Sequence, residues 1–444
     1  MGSLTRTTRK VIDLIFGPKK TVPKQIITFQ KYLNRAYKAA KDADELGPTD
    51  LGLRASIPIS IYLRSKGPHH VYAGVFDEIA GVGHHLDLEE YFSGSLVKVA
   101  AMFAAFKLRS EARLLIKDIQ HHKETATAGN FFTKLEPRLH LSDAVPLISG
   151  TPLIRKKPSF NQILTVTGNF ADPATLEVNF TSDFRSHMRE MIIPSNNCSA
   201  GECIFRLSYP YINVALMQDG YFNRDTMKGI WLCGDYIIPT GPDKCPNADK
   251  IQPFVRIDTV NDCDQDTHFC GSAQNTTSEQ MARLFLNILT KQIVDPVDPD
   301  SDAAIAVAPS QEMHDMLHEG QHGSPPDTAP PVWPDPPDAS FLTRGSTILF
   351  RVDGVKIGQG PLKKDPDREP SKEVRSEGLL IKWKKITPGR ANFDPTLKKK
   401  FDDLNLTGEA AVCWQNLGNL ESVDGIAKVI NNSVSDYINQ APYP

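Results

Sequence analysis

The chain has 444 residues, of which 40% are hydrophobic and 23% are charged, and its formal net charge is -3. This composition is ordinary for a globular protein, and a chain of this length can bury a large core without a disulfide or a metal ion. The small net charge argues against a basic nucleic-acid binder, so we expect no nucleic-acid partner. The longest apolar run, residues 99–106, is far shorter than the roughly 20 residues of a membrane-spanning helix, so we also expect no membrane span.

The first residues and the cysteines bear on cellular location. Residues 11–16 are apolar and follow basic residues, but the stretch is too short for a secretion signal and Asp13 interrupts it. We therefore predict a cytoplasmic protein. The 7 cysteines are odd in number and irregularly spaced, which fits neither a secreted disulfide framework nor a zinc site. The pattern predicts buried or partly paired thiols.

The first part of the chain is predicted to be mostly helical. Residues 1–70 form an N-terminal extension with a candidate helix around residues 24–44. Residues 71–77 are β-branched and aromatic, which predicts a short strand. The next predicted helix, residues 95–108, has apolar residues all round and should therefore lie in the core.

The middle of the chain is predicted to be largely helical as well. Residues 184–193 and 278–293 have helical patterns, and Thr276 with Glu279 three residues later is typical of the start of the second helix. Residues 294–340 are rich in proline and aspartate, which indicates a loop or linker.

The C-terminal part is predicted to supply most of a sheet. Strand-like runs occupy residues 346–356, 378–385 and 409–414, and a helix over residues 423–438 closes the chain. Together with the strand near residue 75, these runs predict one sheet built from both chain ends around a helical insertion. The predicted units are the extension 1–70, an α/β sheet subdomain of residues 71–115 and 340–444, and a mainly helical subdomain of residues 116–339.

A Ser-x-x-Lys pattern occurs once in the chain, at Ser95 and Lys98. Residues three apart on a helix share a face, so the two side chains should be neighbours. Burial disfavours the charged form of a lysine, and a neutral amine beside a serine can activate its hydroxyl as a nucleophile. A serine that merely caps a helix, followed by an incidental lysine, is the alternative explanation.

Three further motifs follow Ser95 and Lys98 in chain order. They are Ser195-Asn196-Asn197, the segment that begins at Asn275, and Lys356-Ile357-Gly358. In this order the motifs resemble those of class A β-lactamases and penicillin-binding proteins, whose set is S-x-x-K, S-D-N and K-T-G. The resemblance covers residues 70–440 and implies an α+β fold of the β-lactamase/transpeptidase type, with an antiparallel sheet flanked by helices and a helical subdomain.

The same resemblance implies a role for each motif residue. Ser95 would be the nucleophile, Lys98 its base, Ser195 a proton relay to the leaving group, and Lys356 a source of positive charge. The implied substrate-binding residues are Asn197, Gly358 and Gln359, with the backbone N–H groups of Ser95 and Gln359 forming an oxyanion hole. The implied function is a serine acyl-enzyme hydrolase or acyltransferase that acts on a small-molecule or peptide-like amide, ester or lactam, without a cofactor or metal.

The sequence departs from the family pattern in three ways. The second motif is Ser-Asn-Asn, and the third motif has Ile357 in place of a hydroxyl residue. No glutamate lies between Glu202 and Glu279, the stretch in which the family has its deacylating glutamate. The nearest carboxylates in this stretch belong to Asp262, Asp264 and Asp266. We therefore expect acylation by β-lactams but no efficient β-lactamase activity.

Two other segments compete for the role of the second motif. Ser159-x-Asn161 also matches Ser-x-Asn, and Tyr211-x-Asn213 matches the Tyr-x-Asn of other members. Ser195 is preferred because its neighbours match the family as well.

Two functions compete with that of a serine hydrolase. One is a degenerate family member that binds a ligand or partner without turnover. The other is a zinc peptidase that uses His318, Glu319 and His322, because H-E-x-x-H on a helix places two imidazoles on one face. The nearby glycines and prolines weaken that helix, so the zinc site is the least favoured alternative.

Overall fold

The structure is a computed structural model, and it describes residues 24–46, 59–65, 71–76, 91–143, 157–232, 245, 275–290, 312–313, 315–317, 350–361, 373–383, 408–418, 425–426, 428–430 and 432–433. The helices are α1 Lys24–Asp42, α2 Lys98–Gln120, α3 Phe131–Leu135, α4 Phe160–Ile163, α5 Ser182–Ile192, α6 Asn197–Leu207, α7 Tyr209–Gln218 and α8 Ser278–Thr290. The strands are β1 Ile59–Ser65, β2 Val71–Phe76, β3 Tyr91–Phe92, β4 Leu164–Asn169, β5 Asp172–Phe180, β6 Phe222–Asn223, β7 Lys228–Gly229, β8 Asn275–Thr276, β9 Phe350–Pro361, β10 Glu373–Trp383 and β11 Gly408–Gly418.

A five-stranded sheet joins the two ends of the chain. Its strand order is β2-β1-β11-β10-β9, and all neighbours are antiparallel. Residues 410–415 of the central strand β11 are all fully buried, so both faces of the sheet are covered. α8 packs against β1, β10 and β11, and α1 packs against β2. This architecture confirms the predicted α+β fold with an antiparallel sheet flanked by helices.

The sheet begins earlier in the chain than the sequence indicated. β1 lies within residues 1–70, which were predicted as a mostly helical extension, and it pairs with both β2 and β11. The hairpin of β4 and β5 likewise lies within residues 116–339, the stretch predicted as mainly helical.

The long helix α2 is the centre of the helical layer. Residues 99–106 are all buried, as expected for a helix that is apolar all round. α5, α6 and α7 pack against α2, and aromatic rings around it make edge-to-face contacts. The ring centroids of Phe103 and Tyr221 are 5.1 Å apart, and those of Phe106 and Phe180 are 5.2 Å apart. This packing fixes the position of α2 relative to α5, α6 and α7.

A 3-10 helix, Gly94–Val97, precedes α2 and lies directly on the edge strand β9. A Cβ atom at Gly358 would overlap the carbonyl oxygen of Ser93 and lie 2.9 Å from the amide nitrogen of Leu96. Ser376 on β10 donates a hydrogen bond from Oγ to that Ser93 oxygen over 2.9 Å. The start of α2 is thus held tightly against β9 and β10.

The start of α8 differs by one residue from the sequence prediction. Thr277 Oγ1 accepts a hydrogen bond from the Gln280 amide over 3.2 Å and therefore caps the helix. Thr276, the predicted cap, belongs to β8, and its Oγ1 accepts a hydrogen bond from Gln415 over 2.5 Å.

Among the described residues, one disulfide joins Cys198, at the start of α6, to Cys245. Cys203 and Cys413 are free and buried, and the other three cysteines lie outside the described residues. Disulfides are typical of oxidising compartments, and the cytoplasmic location stays a prediction. None of the described helices combines the length and the apolar character that crossing a membrane requires.

Candidate active site

Ser95 and Lys98 lie one turn apart where the 3-10 helix Gly94–Val97 passes into α2. The Lys98 amide donates to the Ser95 carbonyl, so the backbone continues as one helical turn. The Ser95 side chain is half-buried, whereas Lys98 is only 1% exposed. A lysine so deeply buried is unusual unless polar partners surround its ammonium group.

The partners of Lys98 come from the turn between α5 and α6. Its Nζ donates to the carbonyl oxygen of Ser195 over 2.5 Å, to Ser195 Oγ over 3.1 Å and to Asn197 Oδ1 over 2.7 Å. The structure thus brings Lys98, Ser195 and Asn197 together. A neutral amine has two N–H donors, which the carbonyl and the amide oxygen can accept. The lone pair of such a neutral amine can accept a proton from a hydroxyl group.

Electrostatics favour this neutral form. Burial lowers the pKa of Lys98 well below its usual value, and the charge of Lys356 lowers it further. Lys356, on β9, is 4% exposed, and burial lowers its pKa to about 7. At neutral pH the two lysines therefore do not carry two full positive charges.

Lys356 and Gly358 lie two residues apart on the edge strand β9. They therefore lie on the same face of the sheet, because side chains alternate along a strand. Gly358 lies against the backbone that flanks Ser95, between Ser93 and Leu96. Any side chain at this position would push the strand away from the helix. The next residue of β9, Gln359, is paired with Arg375 of β10. The other edge of β9 pairs with no strand of the described sheet.

Local sequence explains the turn that carries Ser195 and Asn197. The middle residue of the motif, Asn196, caps α6, because its Oδ1 accepts a hydrogen bond from the Ser199 amide over 3.0 Å. Asparagine and aspartate are equally good caps, so the Ser-Asn-Asn motif keeps the cap that an aspartate would form. Ser195 has a positive φ of 59°, which turns its carbonyl oxygen and hydroxyl towards Lys98.

The competing Tyr211-x-Asn213 segment has a structural role on α7. Asn213 is fully buried and exchanges two hydrogen bonds with the backbone of Leu232, over 2.7 and 2.8 Å. The Tyr211 hydroxyl donates to the Ala104 carbonyl over 3.2 Å. These hydrogen bonds give both side chains a structural role in the core.

The competing Ser159-x-Asn161 segment lies at a different place. Both residues line a cavity of about 670 Å³, whose walls are formed by residues 128, 129, 132, 133, 136 and 157–162. Ser95, Lys98 and Ser195 are not among the residues that line it.

Two sets of sequence candidates fall outside the described residues. They are the aspartates Asp262, Asp264 and Asp266, and the zinc candidates His318, Glu319 and His322. Within the part of the chain that the structure does describe, no group of three or more His, Cys, Asp or Glu side chains could hold a metal ion.

Sequence reasoning missed the residues that support the Ser195 turn. Glu190 and Ser199 lie on α5 and α6, and Ser199 Oγ donates to Glu190 Oε2 over 2.5 Å. A glutamate shortly before Ser-Asn-Asn and a serine shortly after it were the only available signals in the sequence.

No family model matches the sequence, and no curated protein sequence does either. Similar solved structures include a β-lactamase from Xanthomonas campestris, with a TM-score of 0.36, 12% identity, and coverage of 92% of this chain and 98% of the other. A peptidoglycan glycosyltransferase from Burkholderia ambifaria has a TM-score of 0.40, 12% identity, and coverage of 94% and 98%. The TP domain of Burkholderia pseudomallei penicillin-binding protein 3 has a TM-score of 0.38, 10% identity, and coverage of 93% and 94%.

Proposed function

We propose that the protein is a serine acyl hydrolase or acyltransferase, with Ser95 as the nucleophile and Lys98 as its base. The observation that supports this most directly is the environment of Lys98. Its amine is buried one turn from Ser95, its pKa is lowered, and two acceptor oxygens satisfy its N–H donors. A lysine in this state has a lone pair for the serine proton.

In the proposed first step, Ser95 Oγ attacks the carbonyl carbon of an amide, ester or lactam. A C–O bond forms while the hydroxyl proton moves to Lys98 Nζ. The backbone N–H groups of Ser95 and Gln359 would hold the developing oxyanion. Collapse of the tetrahedral intermediate breaks the bond to the leaving group, which takes a proton from Ser195 Oγ. Lys98 then returns its extra proton to Ser195, 3.1 Å away.

Asn197 and Lys356 complete the proposed site. The Asn197 side chain accepts from Lys98 through Oδ1, which leaves its NH₂ group to donate to a substrate carbonyl. Lys356 would supply a positive charge for a substrate carboxylate. Because its pKa is lowered to about 7, this charge is present mainly on the acid side of neutrality.

The proposed second step is slow for a β-lactam, because no glutamate lies between Glu202 and Glu279 to activate water. Natural turnover would then use Lys98 to activate water or another acyl acceptor. We expect a chromogenic cephalosporin to give a burst of one equivalent followed by slow release. Rapid steady turnover without a burst would mean that another group activates the water.

Labelling with a fluorophosphonate tests the nucleophile. Intact-mass analysis should show one adduct on the wild-type protein and none on Ser95→Ala. Ser186→Ala, which removes an exposed serine of α5, is the matched control and should label normally. An adduct that survives Ser95→Ala would contradict the assignment. A wild-type protein without any adduct would favour the degenerate, ligand-binding alternative.

A further inference from the structure

The turn between α5 and α6 carries both residues that bind Lys98, so its position decides where the amine points. Ser195 contributes a carbonyl and a hydroxyl, and Asn197 contributes its amide oxygen. Asn197 is exposed, and Ser195 has an unusual positive φ. A turn of this kind keeps one conformation only if its surroundings hold it.

A hydrogen-bond network on the far side of the turn holds it in this way. The Asn196 amide donates to the Glu190 carbonyl over 2.9 Å, and Asn196 Oδ1 accepts from the Ser199 amide over 3.0 Å. Ser199 Oγ donates to Glu190 Oε2 over 2.5 Å, with His187 Nδ1 3.3 Å from the same Oγ. The network closes a ring that runs from α5 through the turn into α6.

Ser199 is only 3% exposed, and its hydrogen bonds run to His187 and Glu190 on α5 and to Asn196 in the turn, so it cannot contact a substrate directly. It lies two residues after Asn197 on the same helix. The side chain of Glu190 remains 48% exposed, and it is anchored through Ser199. Any shift of α6 relative to α5 would therefore break the Ser199–Glu190 hydrogen bond and move Asn197 and Ser195 together.

We propose that Ser199 and Glu190 are positioning residues, which hold the oxygens of Ser195 and Asn197 at the distances that Lys98 needs as a base. This inference rests on the proposed function of Ser95 and Lys98. A displacement of about 1 Å at such a site costs on the order of 100-fold in rate, so the partial loosening expected from one lost hydrogen bond should cost about 10-fold.

The test measures phosphonylation of Ser95 by a fluorophosphonate as a maximal rate and a half-saturation concentration. Ser199→Ala and Glu190→Ala should each lower the maximal rate about 10-fold and leave the half-saturation concentration unchanged. The double variant should be no slower than either single variant, because both remove the same hydrogen bond. Glu190→Gln should retain most of the rate, since its amide oxygen can still accept from Ser199.

The pH profile separates positioning from a purely structural role. The oxygens of Ser195 and Asn197 also stabilise protonated Lys98. If their hydrogen bonds to Lys98 become longer, its pKa should be lowered further. The acid limb of the rate profile should therefore move to lower pH in Ser199→Ala and Glu190→Ala. His187 and Lys356 are present in every variant. Ser199→Ala decides the direction of the shift, because it changes no charged group, whereas Glu190→Ala removes a carboxylate 3.9 Å from His187.

Arg206→Gln is the matched control, because it removes the Arg206 ion pairs with Asp183 on α5 and with Glu202 on α6, and none of these three residues forms the hydrogen-bond network of the turn. It should change thermal stability without moving the rate or the acid limb. Folding of each variant is checked by thermal melting. If Ser199→Ala unfolds, Glu190→Ala still tests the inference, because Glu190 is half-exposed and its loss leaves no buried cavity. If the wild type is labelled and both alanine variants are labelled at the same rate, the inference is wrong. If the wild type is not labelled at all, the proposed function is wrong.

Discussion

Lys98 and Lys356 are two buried lysines on neighbouring elements. Burial makes the charged form of each side chain less favourable than it would be in water. Lys98 is 1% exposed and Lys356 is 4% exposed, and the pKa of both is lowered by burial. A protein selected for stability alone would place apolar side chains at such positions. The pair fits the proposed function, in which Lys98 acts as a neutral amine and Lys356 supplies a positive charge below neutral pH.

Replacement of Lys98 should remove the base. Lys98→Met should lower the rate of Ser95 labelling by on the order of 10² to 10⁴-fold, as expected for loss of a general base. Lys98→Arg should not restore it, because a guanidinium does not give up its proton at neutral pH. The measurement is the fluorophosphonate labelling rate at pH 7 to 9. Recovery of the rate in Lys98→Arg would mean that Lys98 serves only as a positive charge.

Replacement of Lys356 should change how stability depends on pH. The pKa of Lys356 is about 7 in the folded protein. An unfolded lysine has a pKa of about 10.4, so between these values the unfolded state binds more protons than the folded state. The free energy of unfolding therefore rises with pH across this window and levels off above it.

Lys356→Met should remove the part of this rise that Lys356 causes, while Lys98, whose pKa burial also lowers, keeps its own part. The variant should be the more stable protein at pH 7, by up to about 4 kcal/mol. Denaturant unfolding at pH 7, 8.5 and 10 measures the effect. The exposed lysine Lys31, replaced by methionine, is the control and should leave the pH dependence unchanged. A parallel pH dependence in Lys356→Met and wild type would show that Lys356 is charged in the folded protein throughout.

At the scale of the elements, the contact between β9 and the 3-10 helix Gly94–Val97 positions Ser95. The contact is so close that Gly358 has no room for a Cβ atom, which would overlap Ser93. Ser376 fastens the same Ser93 carbonyl from β10. The third motif therefore needs its glycine for steric reasons in the fold, whatever it contributes to substrate binding.

Gly358→Ala should push the 3-10 helix away from β9. We expect a loss of about 1 to 3 kcal/mol in the free energy of unfolding, typical of overpacking, and a fall in Ser95 labelling of more than about 10-fold. Gly129→Ala is the control, because its nearest neighbouring atom would be 3.9 Å away. Denaturant unfolding and labelling are measured for both variants, and a Gly358→Ala protein with normal labelling would contradict the steric argument.

The sequence predicted the elements whose pattern is local. α1, α5 and α8 were expected within a few residues of their bounds, because their apolar residues repeat at helical spacing. β1 was missed because it is short and half polar. One of its two partners, β11, lies about 350 residues further along the chain, and this non-local pairing leaves no signal in the sequence near β1.

The residues of the candidate site could also be predicted only in part. Lys98, Ser195 and Asn197 belong to motifs with fixed spacing, and the structure joins them by hydrogen bonds. Ser199 and Glu190 belong to no motif, and their contact depends on how α5 and α6 pack. Supporting residues of this kind become visible only when the helices are placed together.

At the scale of the whole molecule, a covalent link connects the site to a distant part of the chain. Cys198 directly follows Asn197, and its disulfide partner Cys245 is 47 residues further along. Closing a loop of this length restricts the unfolded chain and stabilises the fold by about 4 kcal/mol in the chain-entropy model. The link also ties the first turn of α6, which holds Asn197 near Lys98, to residue 245.

Replacing both half-cystines should therefore affect stability and the site together. Cys198→Ala with Cys245→Ala should lower the free energy of unfolding by about 4 kcal/mol, and reductant should have the same effect on the wild-type protein. The Ser95 labelling rate should fall as well, because the first turn of α6 loses its anchor. Cys203→Ala, at a free buried cysteine, is the control and should leave the response to reductant intact. Non-reducing peptide mapping checks the pairing, and alkylation of both Cys198 and Cys245 in the native, unreduced protein would refute it.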